Sequence, residues 1–323
     1  MSKREIAAKV LEVSGLGRVV RKVLPWNGLL VFNYHRVGDD TGSRFNRDLW
    51  STTAEDFDAQ LRFFKRNFDV IGQDDVKDVL GRRRGRHIQV TFDDGYLDNY
   101  EVAYPLLKSH GISATFFIAT GMLDSPRVPW WDEIAWIVRG SKKTLPGGEP
   151  EQGKVIQTLC SVYRALSADK KEAFVKFLAD AMETERPTPA DAKGLWMSWD
   201  MVRSMRAGGM RFGGHTVSHA ELARLTRQEQ AREIIGCKER LEVELSEPMT
   251  TFSYPYGEEF SFNEDTLSCL REAGVQFSYS YYGGFQDHTS YTPLDLKRYA
   301  MERHLSPALW ALLTTAPKLW KGT

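Results

Sequence analysis

Cysteine is scarce in this chain. Its 323 residues contain three, Cys160, Cys237 and Cys269, far apart and with no Cys-x-x-Cys pair. That excludes a disulfide framework and a thiolate zinc site, and the three read as buried thiols of a reducing compartment. A charge excess of one sign is also missing. The 43 basic side chains balance 43 acidic ones, so no chain-wide positive field draws nucleic acid. The cluster GRRRGRH at 81–87 is a local exception. It reads as a solvated loop before a strand or as a contact for an anion or a membrane. Long hydrophobic runs are absent too. No uncharged apolar stretch reaches the ~18 residues of a membrane-spanning helix. The opening MSKREIAAKVLEVSG carries charges throughout, where a secretory signal needs a continuous apolar core. The expected location is therefore cytoplasmic. A basic, partly amphipathic helix over 1–26, with Lys3, Arg4 and Lys9 among Ile6, Val10 and Leu11, leaves attachment to a membrane surface open.

What the chain does have is alternation. Short β-branched and aromatic runs at 29–35, 87–93, 112–119, 210–215, 250–256, 275–281 and 296–301 read as strands. Helical patterns fall between them at 54–67, 97–110, 199–207, 227–245 and 263–273. Thr226 and Glu229 have capping-box spacing before the fourth helix, and Gly208 and Gly209 stop the third. Strands separated by helices predict parallel βα units, and about seven of them predict a barrel rather than an open sheet. The alternation breaks at about 126–197, which reads as a helical insertion with segments near 153–166 and 168–183 and Ser167 as N-cap of the second. The expected organisation is a basic helix over 1–26, a barrel over 27–304 carrying that insertion, and a helical tail over 305–323. The tail reads as a packing helix. Trp130, Trp131 and Asp132 open the insertion, and Trp199 and Asp200 close it. These tryptophans either pack the insertion onto the barrel or line a groove where sugar rings stack.

Three stretches carry chemistry. Thr91-Phe92-Asp93-Asp94-Gly95-Tyr96 ends a strand, the place where barrel enzymes put their reacting groups. Two adjacent carboxylates there need a cation or a turn, and Gly95 permits the turn. An N-cap with a charged loop is the plainer reading. His215-Thr216-Val217-Ser218-His219 also follows a strand. If the residues between form a helical turn, the two imidazoles share one face and suit a first-row divalent ion. Asp94, His215 and His219 together would form a two-histidine, one-carboxylate set with coordination positions left open. Asp93 would be the unligated carboxylate that takes the proton of an attacking water. In Thr251-Phe252-Ser253-Tyr254-Pro255-Tyr256-Gly257, proline and glycine interrupt a strand and free backbone N–H groups that can hold an oxyanion.

In this order the three stretches resemble the polysaccharide deacetylase family, carbohydrate esterase family 4, also called the nodulation-deacetylase homology domain. The resemblance covers roughly residues 28–300 with the insertion set aside. It implies an α/β fold, a distorted (β/α)7 barrel. It also implies a divalent metal, usually zinc, and hydrolysis of acetyl groups from amino-sugar polymers. By motif position Asp93 is the base, Asp94, His215 and His219 are the metal ligands, and the backbone N–H of Tyr256 is an oxyanion donor. Some family features are missing. Ser253 stands where many members have arginine. The usual Asp/Trp fourth motif is not evident in VQFSYSYYGG at 275–284, and His304 is the sole candidate for the fifth-motif histidine. The segment Tyr34-His35-Arg36-Val37 is similar to the Tyr-His-x-Val of exopolysaccharide N-deacetylases, whose motif order is permuted. That branch implies His35 as the acid, with His304 in reserve. Arg298, opening the last strand, is the candidate to replace the missing guanidinium beside Asp93. The expected substrate is an N-acetylated oligo- or polysaccharide or its lipid-linked precursor. Deformylation, O-deacetylation and carbohydrate binding without turnover are the rival readings; the paired aspartates and histidines weigh against the last.

Overall fold

The computed structural model describes residues 26–82, 84–143 and 148–303, with 310, 313–315 and 317 beyond them. Of the helix expected over residues 1–26, residues 1–25 lie outside the described residues, as do Arg83 and His304. Strand β1 (Gly28–Tyr34) is buried along its whole length, as a parallel strand covered on both faces must be. Two short strands follow, β2 (Arg36–Val37) and β3 (Trp50–Thr52). Helix α1 (Ala54–Asn67) starts where the Thr53 side chain accepts from the Asp56 N–H, and it buries Phe57, Leu61 and Phe64 on one face. Phe64 stacks on Phe32 of β1 with centroids 5.0 Å apart. Next come β4 (Asp69–Ile71), α2 (Val76–Arg82) and β5 (Arg86–Phe92). The helix expected over 97–110 divides into a π-helical turn at Asn99–Ala103 and α3 (Tyr104–His110). Pro105 has no N–H for the carbonyl one turn earlier, which breaks the α ladder there.

After β6 (Thr115–Ile118) and α4 (Thr120–Asp124), the insertion contributes α5 (Trp130–Arg139), α6 (Gly148–Ala165) and α7 (Ala168–Ala181). These helices share a small core in which Ile134 and Ile137 meet Val175 and Leu178. Ser167 does precede α7 in extended conformation, but its side chain makes no capping bond. The barrel resumes with α8 (Trp199–Ala207), β7 (Arg211–Gly214), α9 (Arg227–Leu245), β8 (Thr251–Ser253), α10 (Glu264–Glu272) and β9 (Phe277–Tyr279). The expected capping box is present: Thr226 accepts from the Glu229 N–H while Glu229 accepts from Thr226. Then come β10 (Gln286–Asp287), antiparallel to β1, and β11 (Arg298–Ala300).

Parallel pairing runs β1-β5-β6-β7-β8-β9. Tyr279 then bridges Leu296, and β11 pairs in parallel with β1, Val31 opposite Arg298. The sheet thus nearly closes, a distorted (β/α)7 barrel with an inserted helical layer. In the tail, Trp310 packs on Phe63 at 4.4 Å and the Trp26 indole donates to the Thr314 carbonyl at 2.9 Å. No helix among the described residues is long and apolar enough to cross a membrane.

Candidate active site

Parallel strands bring their C-terminal ends to one rim, and the chemistry-bearing residues collect there. The Asp93 N–H still donates to the Tyr34 carbonyl, 3.0 Å, extending the β1–β5 ladder by one residue. Then Asp94 takes φ 76° and Gly95 φ 96°. Two left-handed residues in a row turn the chain, so that both carboxylates line one cavity of about 470 Å³. A non-glycine residue in this region costs roughly 1 kcal/mol or more and persists only where its surroundings enforce it. At the end of β7 close packing decides. A Cβ on Gly213 would lie 2.6 Å from Thr251 Oγ1 and 2.7 Å from the Phe117 ring, so only glycine lets β7 fit there and deliver His215 to the rim.

The turn expected between the histidines is not helical. Thr216 (φ 65°) and His219 (φ 59°) are left-handed. Glu233 of α9 holds the loop, accepting from the Val217 and Ser218 N–H groups, both at 2.9 Å, and from the Ser218 hydroxyl at 2.7 Å. The imidazoles converge nonetheless, with centroids 4.8 Å apart. Their Nε2 atoms lie 3.4 Å (His215) and 3.3 Å (His219) from Asp94 Oδ1. That oxygen is buried and has no hydrogen-bond partner among the described residues. His215 turns its other nitrogen to the Ser253 carbonyl at 2.8 Å. The three ligand atoms lie within 4.8 Å of one another. A carboxylate oxygen buried between two imidazole nitrogens, unbonded among the described residues, could hold a metal ion, and its chemistry fits a divalent first-row cation. Burial opposes the charge of Asp94, but the imidazoles of His219 and His215 outweigh it and hold the carboxyl well below its ordinary value. Burial lowers His219, whereas Asp93 and Asp94 raise His215 against its burial.

Asp93 faces a different set. Arg298, wholly buried, meets it with two parallel bonds, Nη1 to Oδ1 at 2.9 Å and Nη2 to Oδ2 at 2.8 Å. Asn33 Nδ2 and the Ser253 hydroxyl donate to Oδ2 at 3.1 and 3.3 Å. Arg298 also donates to Ser253 Oγ at 2.7 Å, so the third stretch keeps contact with a guanidinium that now arrives from β11. Burial resists the charge on Asp93; Arg298 overcomes it, and the carboxyl lies below its ordinary value.

His35 is half-buried in the cavity wall, its ring edge-on to Tyr281 at 5.5 Å. Its N–H donates to Ser51 Oγ at 3.0 Å and its carbonyl accepts from Asn99 at 2.7 Å. Among the described residues the ring itself makes no hydrogen bond. Tyr256 is left-handed at φ 64°, and its backbone N–H has no partner among the described residues. The tryptophans separate by place. Trp130 and Trp131 line the cavity, Trp131 lying 4.7 Å from the His219 ring and donating to Tyr96 at 2.9 Å. Trp199 instead donates to Asp124 at 2.7 Å beneath Arg240 and is not in the cavity wall. The reading of three buried thiols needs correction. Cys237 and Cys269 are buried, but Cys160 is half-buried and lines the cavity. Burial pushes its thiol up to about 12. Sequence reasoning passed over Asn33, Glu233 and Arg164. Of these only Asn33 left a signal, as the polar residue inside an apolar strand.

A family model described as polysaccharide deacetylase matches residues 81–278. The curated protein named "Putative polysaccharide deacetylase YxkH", from Bacillus subtilis (strain 168), is 25% identical over 189 residues. These make up 58% of this chain and 42% of YxkH, so the chain spans less than half of that relative's length. The fold is shared with the deacetylase PplD of Streptococcus pyogenes, solved in complex with acetate. The TM-score is 0.60 at 18% identity, covering 90% of this chain and 99% of that one. It is shared as well with IcaB from Ammonifex degensii, with a TM-score of 0.57 at 20% identity over 90% of this chain and 98% of that one.

Proposed function

Because the chain belongs to the polysaccharide deacetylase family, we propose that this site removes N-acetyl groups from an amino-sugar-containing polysaccharide or lipid-linked saccharide. Asp94, His215 and His219 would hold a divalent cation, most simply zinc, which when bound supplies Lewis acidity for the acyl carbonyl and acidifies water. Asp93 is the base. Oriented by Arg298, Asn33 and Ser253, it stays charged at neutral pH and accepts the proton of the attacking water. The Tyr256 N–H donates to the acyl oxygen as negative charge gathers there. His35 delivers a proton to the nitrogen as the carbon–nitrogen bond breaks, so that acetate and a free amine leave. Trp130 and Trp131 line the cavity and give it apolar surface against which a sugar ring can pack.

The observation that carries this reading is the division of labour between adjacent carboxylates in one cavity: Asp94 among imidazoles, Asp93 on a guanidinium. The test uses defined N-acetylated oligosaccharides, with acetate and new amine measured together. The expected outcome is one amine per acetate from zinc-loaded protein, and a rate lower by about 10²–10⁴ in Asp93→Asn with its zinc retained. Acetate without new amine, formate from a formamido sugar only, or equal glycan affinity with and without metal and no turnover would each overturn it.

A further inference from the structure

The insertion does not close the barrel, yet it reaches the catalytic cavity with Trp130, Trp131, Cys160 and a charged side chain, Arg164. Arg164 lies in the last turn of α6 and lines the cavity wall. Its guanidinium carbon sits 4.3 Å from the Tyr256 ring centroid. Nη2 and Nη1 reach the two carboxylate oxygens of Glu258 at 2.6 and 3.4 Å. Glu221, two residues beyond His219, lies 3.6 Å from the same Nη2. Arg224 reinforces the joint by pairing with Glu221 at 3.0 Å and donating to the Arg164 carbonyl at 2.5 Å. One planar cation therefore ties three stretches of chain together: the insertion, the loop carrying the second histidine, and the turn Tyr256–Gly257–Glu258.

That turn needs tying. Tyr256 is a bulky residue at φ 64°, a conformation worth about 1–3 kcal/mol of strain that must be enforced from outside. The direction of its N–H depends on keeping that conformation. A guanidinium stacked on the ring and paired at two points with the carboxylate two residues on fixes both flanks of the turn, which a lysine cannot do.

We propose that Arg164 is a positioning residue: it locks the Tyr256–Glu258 turn so that the Tyr256 N–H faces the developing oxyanion, which makes the helical insertion part of the catalytic apparatus. The inference rests on the deacetylase reading above, since only acyl transfer generates that oxyanion. Support from an oxyanion donor is felt in the transition state and not in substrate binding, so its loss lowers kcat and leaves KM in place.

The experiment compares wild type, Arg164→Met, Arg164→Lys, Glu258→Gln and the Arg164→Met/Glu258→Gln double variant, all zinc-loaded. Acetate release from one defined oligosaccharide is followed, and thermal midpoint and zinc affinity are measured alongside. The expected result is a kcat reduced about 10- to 100-fold in Arg164→Met, short of the 10²–10³ for outright loss of a donor. KM and zinc affinity stay within about 2-fold, lysine restores kcat only in part, and the double variant loses no more than Arg164→Met alone. Full kcat in Arg164→Met, a raised KM at constant kcat, or multiplicative losses in the double variant would overturn the proposal; the last two would mark Arg164 as a direct sugar contact. If Arg164→Met fails to fold, Glu258→Gln and Tyr256→Leu carry the same comparison, and unchanged kcat in both contradicts it. A wild type that releases no acetate defeats the deacetylase reading itself. An active wild type with an equally active Arg164→Met defeats only this inference.

Discussion

Asp93 and Asp94 are joined by one peptide bond, yet their surroundings separate them completely. The left-handed turn at Asp94 sends one carboxylate to two imidazoles and leaves the other on Arg298. A third carboxyl, Asp132, shows what burial does without a full counter-charge. It is fully buried at the start of α5, accepting from the Asn46 N–H at 2.8 Å and the Tyr96 hydroxyl at 3.1 Å. Burial raises it to about 6, against the pull of Arg36 and those two bonds and with a small push from Asp94. An unfolded aspartate titrates near ~3.9, so between the two values the folded chain holds the extra proton. The stability this group contributes is whole below the unfolded value and is lost as pH rises through the folded one. Asp132→Asn cannot titrate. Denaturant unfolding at about pH 4.5 and pH 7 should therefore show the variant gaining roughly 2 kcal/mol on wild type at the higher pH. A constant difference between the two proteins contradicts the assignment. At this scale much of the site was legible. Asp93, Asp94, His215 and His219 announce themselves by residue type at strand ends, and Arg298 by filling a vacancy beside Asp93. Asn33 showed only as a polar residue in an apolar strand and Arg164 not at all, because their partners lie 60 and 94 residues away in sequence and no local pattern encodes such a pairing.

Among the elements, the loop from His215 to His219 shows where sequence logic reached the right place by the wrong route. Spacing by four suggested a helical turn; the chain uses two left-handed residues and an outside anchor instead. Glu233 supplies three bonds to the loop, and the first amides of α4 supply two more, Thr120 to the Thr216 carbonyl at 3.2 Å and Gly121 to the Val217 carbonyl at 2.8 Å. Support of this kind orients ligands, and its removal typically costs about 10–100-fold in metal affinity. Glu233→Ala should lose that much zinc affinity in competition with a chelator, and Glu233→Gln, which keeps one acceptor oxygen, should fall between. Wild-type affinity in Glu233→Ala would show that α4 holds the loop unaided. Helices with strong caps were readable to the residue. Those over 54–67, 199–207 and 227–245 match their expected bounds, each with a Thr or Ser at its N-cap. The short strands β2, β3, β4 and β10, two or three residues each, offer too few positions for a period-2 pattern to register. The π-helical turn also escaped notice, although Pro105 marked it.

For the molecule as a whole, closure of the sheet is what makes a site of these residues. β11 returns to β1 and brings Arg298 opposite Val31, while the register of β5 on β1 sets Thr91 against Asn33. Strands distant in sequence thereby deliver the Asp93 carboxylate, a guanidinium and an amide to one buried network, and the rim above it receives the imidazoles and the insertion. The alternation of strand and helix made the barrel legible. The sequence pattern did not show how the insertion meets the rim, because Trp131, Asp132 and Arg164 act across the boundary between two packing units. On the proposed mechanism, one cation per chain, held by Asp94, His215 and His219, is required for acetate release. Zinc titrated into metal-stripped protein tests it, with acetate and new amine followed at each addition. The expected course is no release at the start, a rise to a plateau at one equivalent per chain, and no rise in His215→Ala. Full release from the stripped protein, or an undiminished rise in His215→Ala, would contradict it.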